Sequence, residues 1–348
     1  MKFIKKNQKS NASRRRISLS AVSVFLLAAA LLCLCFCSCA RVPDDGSGKG
    51  EKVKIVASNF PAYDFARRIA GDRAELRLLI SPGSDAHSYD PTPSDILALE
   101  SCDLFICTGG ESDVWVDDIL AASTLGSDER SDAVLKMTDC VELVAEETVE
   151  GMQEEHENGE EEAEEEEGEE EYDEHVWTSP LNVCRIAEAI ARRISEIDPE
   201  NADEYAAACA GFQSELEELD RDFREVVSEA EQDRQLLIFG DRFPFRYFTE
   251  EYGLSYYAAF PGCASDTEPG ASTVAFLIEK AKEEEIPVIL YLELSDAKIA
   301  AAIAEECGAE TMLFHSCHNV TKNDFLSGET YLTLMRGNID VLRAAMGQ

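Results

Sequence analysis

An α/β protein of two lobes, each a parallel sheet covered by helices and the pair joined by one long helix, is the fold the sequence predicts. Short apolar runs alternate with helix-patterned segments twice, from Lys52 to Val144 and again from Gln235 to Phe314. That alternation is the pattern of a parallel sheet with crossover helices. Between the two runs, Phe212, Leu216, Leu219, Phe223, Val226 and Val227 recur at helical spacing inside one uninterrupted stretch from about Asn201 to Ala230. At 1.5 Å per residue such a helix spans roughly 45 Å. A chain of 348 residues also suffices for two separate cores.

The chain opens with seven basic residues between Lys2 and Arg16, followed by an uncharged run from Ile17 to Cys37. These are the n-region and h-region of an export signal. The run is also about long enough to be a retained membrane anchor. It ends in Phe36-Cys37-Ser38-Cys39, and a small residue before a cysteine resembles the lipoprotein cleavage box, with Cys39 as the lipidated residue and Cys37 the poorer alternative. Arg41 to Gly50, rich in Gly with Pro43, reads as a flexible tether.

In the first lobe, Lys52–Ala57 reads as a strand and Pro61–Ala70 as a helix stopped by Gly71. Leu76–Ile80 is a second strand. It leads through a loop fixed by Pro82, Gly83, Pro91 and Pro93, with His87 at its tip, into a helix over Thr92–Glu100. Asp103–Cys107 is a buried strand and Asp113–Ala122 a helix, with short strands expected at Val134–Met137 and Val141–Val144. Ser179 suits a cap and Pro180 the first turn of a helix reaching Ile197. The second lobe repeats the scheme, with strands over 235–239, 254–260, 288–292 and 311–314 and helices over 245–252, 273–284, 295–307 and 329–346. The resulting division is signal peptide 1–38, tether 39–51, first lobe 52–198, connecting helix 199–233 and second lobe 234–348.

An acidic insertion, 146–174, interrupts the first lobe. Fourteen Glu and one Asp fall between Glu154 and Glu174, with His156 among them. Like charges at that density repel, and no apolar face offsets them, so disorder is expected. The segment suits a solvated spacer or a weak collector of cations; carboxylates favour hard ions over zinc. The net charge of −39 repels nucleic acid and anionic lipid headgroups and attracts cations. Eight cysteines follow Cys39 without a Cys-x-x-Cys spacing, so no thiolate zinc knuckle is signalled. Cys263 and Cys317, in two loops of the second half, suit a disulfide in an oxidising exterior.

Only five histidines are present. His87 lies where α/β domains bind ligands, after a strand's carboxyl end, although a surface turn accommodates it equally. A second histidine stands in Asp173-Glu174-His175-Val176-Trp177-Thr178-Ser179-Pro180. His87 with Tyr89, Pro91 and Pro93, then His175 with Trp177, Ser179 and Pro180, then Tyr331 to Met335 and Asn338, resemble the cluster A-I substrate-binding lipoproteins of zinc and manganese ABC importers. The resemblance covers nearly the whole mature chain. It implies Rossmann-like lobes held by a rigid helix, and one ion held between them.

The family's third ligand, a histidine or glutamate after the first strand of the second lobe, is not matched in kind; Asp241 falls at the acidic position, with Arg242 beside it as a rival salt-bridge partner. The family's fourth, an aspartate after the last strand, corresponds to His315, with His318 as substitute or outer partner. His87, His175, Asp241 and His315 are thus the expected metal ligands, a set suiting Zn²⁺ better than Mn²⁺. What the resemblance implies is extracytoplasmic binding of a divalent metal, on a lipid anchor, for delivery to a membrane ABC permease. A secreted zinc hydrolase and a surface adhesin are the other classes. The hydrolase lacks a His-Glu-x-x-His helix or a Gly-x-Ser-x-Gly elbow.

Overall fold

The computed structural model describes residues 52–84, 86, 88–127, 130–152, 171–262 and 269–348. The signal, Cys39 and tether, residues 153–170 with His156, His87 and Cys263 lie outside the described residues.

Val53–Ala57 (β1) is buried along nearly its whole length, as a strand covered on both faces must be. It pairs in parallel with Ala74–Leu78 (β2) and Leu104–Cys107 (β3), and Val134–Lys136 (β4) completes a sheet of order β2-β1-β3-β4. Leu236–Phe243 (β5), Ser255–Pro261 (β6), Val288–Tyr291 (β7) and Glu310–Leu313 (β8) form a second parallel sheet of order β6-β5-β7-β8. Both sheets therefore fork between their two inner strands, β1 and β3 in the first and β5 and β7 in the second. The crevice outside the carboxyl ends at such a fork is where open α/β sheets take ligands.

Local chemistry sets the helix starts. Phe60–Ala70 (α1) begins at Asn59, whose side chain accepts from the Ala62 N–H, and stops at Gly71 with φ +51°. Pro93–Ser101 (α2) opens with a Thr92/Asp95 capping box. Val114–Ala122 (α3) follows, and Pro180–Ile197 (α4) is capped by Ser179 with Pro180 in its first turn. Ala202–Glu229 (α5) is the long helix, 28 residues or about 42 Å. The second sheet carries Arg246–Tyr252 (α6), Ala271–Glu283 (α7) and Lys298–Cys307 (α8), and the chain closes with Lys322–Ser327 (α9) and Tyr331–Ala345 (α10). None of the helices among the described residues is long and apolar enough to cross a membrane.

One hydrophobic core runs through both lobes, from Val53 in β1, across Phe212, Leu216, Leu219 and Phe223 of α5, to Phe239, Phe314 and Met346. The last helix is bound back to the first lobe. Its Tyr331 N–H donates to Asp64 of α1 (2.9 Å), its hydroxyl donates to the Trp177 carbonyl (2.8 Å), and its ring meets Phe65 edge-on. Wide hinge closure would tear this shared core, so the lobes are confined to small relative movements.

Three sequence expectations are corrected. Val141–Val144 is not a strand; the Val144 N–H donates to the Tyr247 hydroxyl of the second lobe (3.3 Å), which draws this stretch away from β4. β5 runs on to Phe243 rather than stopping at Phe239, with a register shift between Phe239 and Arg242. Asp241 is therefore part of an irregular strand end. The acidic stretch is structured at its root, since residues 146–152 and 171–174 pack against the protein, with Met152, Asp173 and Glu174 buried.

Candidate metal centre

The loops at the carboxyl ends of the second sheet, the loop after β2 and the turn at His175 enclose a cavity of about 710 Å³. His175, Asp241, Arg242, Glu293 and His318 line it, together with Gly83, Ser84 and Ala86 from the first lobe.

His175 is fully buried. Its backbone N–H donates to Asp173 Oδ1 (2.7 Å), and its Nδ1 lies 3.2 Å from the same oxygen. With Nδ1 donating to the carboxylate, the neutral ring carries its lone pair on Nε2, the tautomer that serves a metal. Burial works against the charged imidazolium, but Asp173, by charge and hydrogen bond, with Glu174 and Glu146 behind it, outweighs burial and raises the His175 pKa above its ordinary value. Trp177 fixes the turn to the other lobe, donating from Nε1 to the Ser316 carbonyl (2.9 Å).

His318 brings the second imidazole. Its ring centroid is 5.2 Å from that of His175, at 84° between planes, and 5.1 Å from Trp177. The loop that carries it is shaped by Glu293, whose side chain is only 5% exposed. Glu293 Oε2 accepts from the Ser316 N–H (2.8 Å), and Oε1 accepts from the Ser316 hydroxyl (2.5 Å) and the His318 N–H (3.2 Å). Asn319 then ties the loop to the first lobe, donating to the carbonyls of Ser81 (3.0 Å) and Ser84 (2.7 Å). The Gly83 N–H returns a bond to the Val320 carbonyl (2.7 Å).

His315 is placed otherwise. Asn338 accepts from its N–H (2.8 Å) and donates to its carbonyl (2.9 Å), while its Nδ1 accepts from the Cys317 N–H (2.9 Å). It is buried and does not line the cavity. Asp241 does line it, but Oδ1 accepts from the Arg242 N–H (2.9 Å) and Oδ2 from the Leu292 N–H (3.2 Å). The structure thus brings His175 and His318 together and leaves Asp241 and His315 engaged with the backbone. Among the described residues, no three His, Cys, Asp or Glu side chains gather closely enough to hold an ion. His87 lies outside the described residues; Ala86, which precedes it in the sequence, is on the cavity wall. Cys317 is fully buried with φ +62°, and its expected pairing with Cys263 is likewise outside the described residues.

Sequence reasoning missed Glu293, Asn319 and Gly262. Glu293 had one signal, a lone acid directly after an apolar strand. Gly262 had none, since its role is space. A Cβ there would lie 3.2 Å from His175 Cε1, 3.3 Å from Nδ1 and 3.0 Å from the Phe243 carbonyl oxygen. Gly262→Ala is expected to press the imidazole out of line and weaken metal binding about tenfold, in the range for disturbed outer-shell partners. Titration against a chromophoric chelator reads this directly, and unchanged affinity would show that the ring has room to shift.

Residues 55–345 match the family model described as zinc-uptake complex component A, periplasmic (ZnuA). The high-affinity zinc uptake system protein ZnuA of Bacillus subtilis is 30% identical over 298 residues, covering 86% of this chain and 89% of that protein. The zinc-binding lipoprotein AdcA of Streptococcus pneumoniae is 28% identical over 298 residues, 85% of this chain. The chain spans only 56% of the length of AdcA. The crystal structure of the Zn(II)-bound ZnuA-like domain of that AdcA superposes with a TM-score of 0.67 at 26% identity, covering 85% of this chain and 100% of the other.

Proposed function

The chain belongs to the ZnuA family of periplasmic zinc-uptake components, and from that footing we propose that it captures a divalent transition metal, Zn²⁺, outside the cytoplasm and passes it to a membrane ABC permease. The observation that carries the proposal is the buried pair of imidazoles, His175 and His318, 5.2 Å apart on the wall of a cavity between the lobes. Imidazole nitrogen suits zinc better than manganese. We assign the ion to His175, His318 and His87, the last from its place in sequence beside Ala86. His315 becomes the support of the loop, and Asp241 a wall of the cavity outside the ligand set.

The work is affinity rather than catalysis. A zinc hydrolase needs a carboxylate general base beside an open coordination position. Asp241 and Glu293, both on the cavity wall, are committed to backbone N–H groups, which favours capture over hydrolysis. Cys39 is the proposed lipidation point that holds the protein at the membrane surface.

Competition titration of Zn²⁺ against Mn²⁺ on the detergent-solubilised full chain tests the reading. One zinc per chain, preferred over manganese, is expected; absence of a stoichiometric site would overturn it. Affinity is expected to fall on acidification. Asp173 raises the His175 pKa, so protons compete with zinc from above the ordinary imidazole value of about 6.5 rather than only below it. Titrations across pH 5 to 8, roughly that interval either side of the imidazole value, will show where the loss begins.

A further inference from the structure

We propose that the two-stranded stem at the root of the acidic insertion is a latch on the metal centre, with Glu146 and Tyr247 as positioning residues that slow release of the ion. The inference rests on the ligand role assigned to His175.

The stem is short and well bonded. Ala145 and Tyr172 form an antiparallel bridge, the Glu146 N–H donates to the Glu171 carbonyl (2.9 Å), and the Asp173 N–H donates to the Val144 carbonyl (3.0 Å). Although its strands leave and re-enter the first lobe, it is fastened to the second. The Tyr247 hydroxyl of α6 accepts from the Val144 N–H (3.3 Å) and donates to the Asp173 carbonyl (2.8 Å), so one group joins both strands. Glu147 accepts from the Tyr256 hydroxyl (3.4 Å) and pairs with Arg246 (3.4 Å). Further along, Gly151 passes so close to Phe276 of α7 that a Cβ would lie 2.1 Å from the ring, and Met152 is buried.

Two of these contacts end at the ligand. Glu146 Oε1 accepts from the Gly262 N–H (3.0 Å), and Gly262 is the residue whose backbone lies against the His175 imidazole. Asp173, held through its carbonyl by Tyr247, orients that imidazole through its carboxylate. The stem therefore holds both the anchor of His175 and the second-lobe loop packed on its ring. Moving the second lobe off His175 requires these hydrogen bonds to break first, and an interaction lost on the way to release acts on the off-rate.

The test is stopped-flow zinc release into excess chelator at fixed pH, on the full chain in detergent. Glu146→Ala and Tyr247→Phe are each expected to release zinc about tenfold faster, the change a lost hydrogen bond of ordinary strength brings. Glu146→Gln keeps an acceptor for Gly262 without the charge, and is expected within about twofold of wild type on the same scale. Wild-type rates in both Glu146→Ala and Tyr247→Phe would overturn the latch, as would Glu146→Gln releasing as fast as Glu146→Ala. His175→Ala in the same series separates the two ideas. If it binds zinc as wild type does, the ligand assignment falls and the latch with it.

Discussion

His318→Ala is expected to lower zinc affinity by more than about 100-fold, past the range of outer-shell substitutions, whereas His315→Ala is expected to stay within it. The two imidazoles are three residues apart, and only their surroundings separate them. The ring of His318 meets that of His175 at 5.2 Å on the cavity wall. The ring of His315 is turned into the loop, where Nδ1 accepts the Cys317 N–H at 2.9 Å. Removing His318 takes a donor from the ion; removing His315 leaves a buried N–H unsatisfied, at about 1–3 kcal/mol of folding free energy. Isothermal titration with zinc and urea unfolding of the metal-free chain, run on both variants, distinguish the roles. The opposite ranking, with His315→Ala losing the metal and His318→Ala keeping it, would restore the assignment that sequence position suggests.

Glu293→Ala is expected to be the most destabilising change near the site. Its carboxylate accepts from three donors of the loop, the Ser316 N–H, the Ser316 hydroxyl and the His318 N–H. Alanine strands buried donors that a charged acceptor served, a loss of about 2–4 kcal/mol. Glu293→Gln is expected to recover part of this, because its amide oxygen accepts on one side while its NH₂ faces a donor on the other. The loop backbone is already held in an unfavourable region at Cys317, φ +62°, and the Glu293 carboxylate fixes the stretch that sets His318 against Trp177. Zinc affinity should fall with stability in the alanine variant. Denaturant midpoints of the metal-free proteins give the first number and chelator competition the second; a variant as stable as wild type would show that water replaces the carboxylate in the loop.

The periodic features were legible in the sequence because they are local. Alternation of apolar runs and helical patterns named the strands and the long α5, whose expected stripe, from Phe212 to Val227, is buried. The cap expected at Ser179 is formed, its side chain accepting from the Asn182 N–H. The same reasoning misplaced Val141–Val144 as a strand, since four residues of suitable composition do not reveal that a tyrosine 103 positions on will hold Val144. Charge density read Glu146 to Glu174 as one disordered run, yet the residues at its root bond to the second lobe through Tyr247, Tyr256 and Gly262.

By itself the sequence determined the α/β class, the repeated lobe, the acidic surface and the motif around His175, each written in neighbouring residues. Only the tertiary structure decided which histidine of the last loop faces the cavity, that Asp241 is spent on the Arg242 and Leu292 N–H groups, and that Glu293 shapes the site. The physical reason is that a buried N–H must find an acceptor wherever the fold brings one. Those partners lie from one to 51 positions apart in these contacts, so the longer ones leave no local pattern to read.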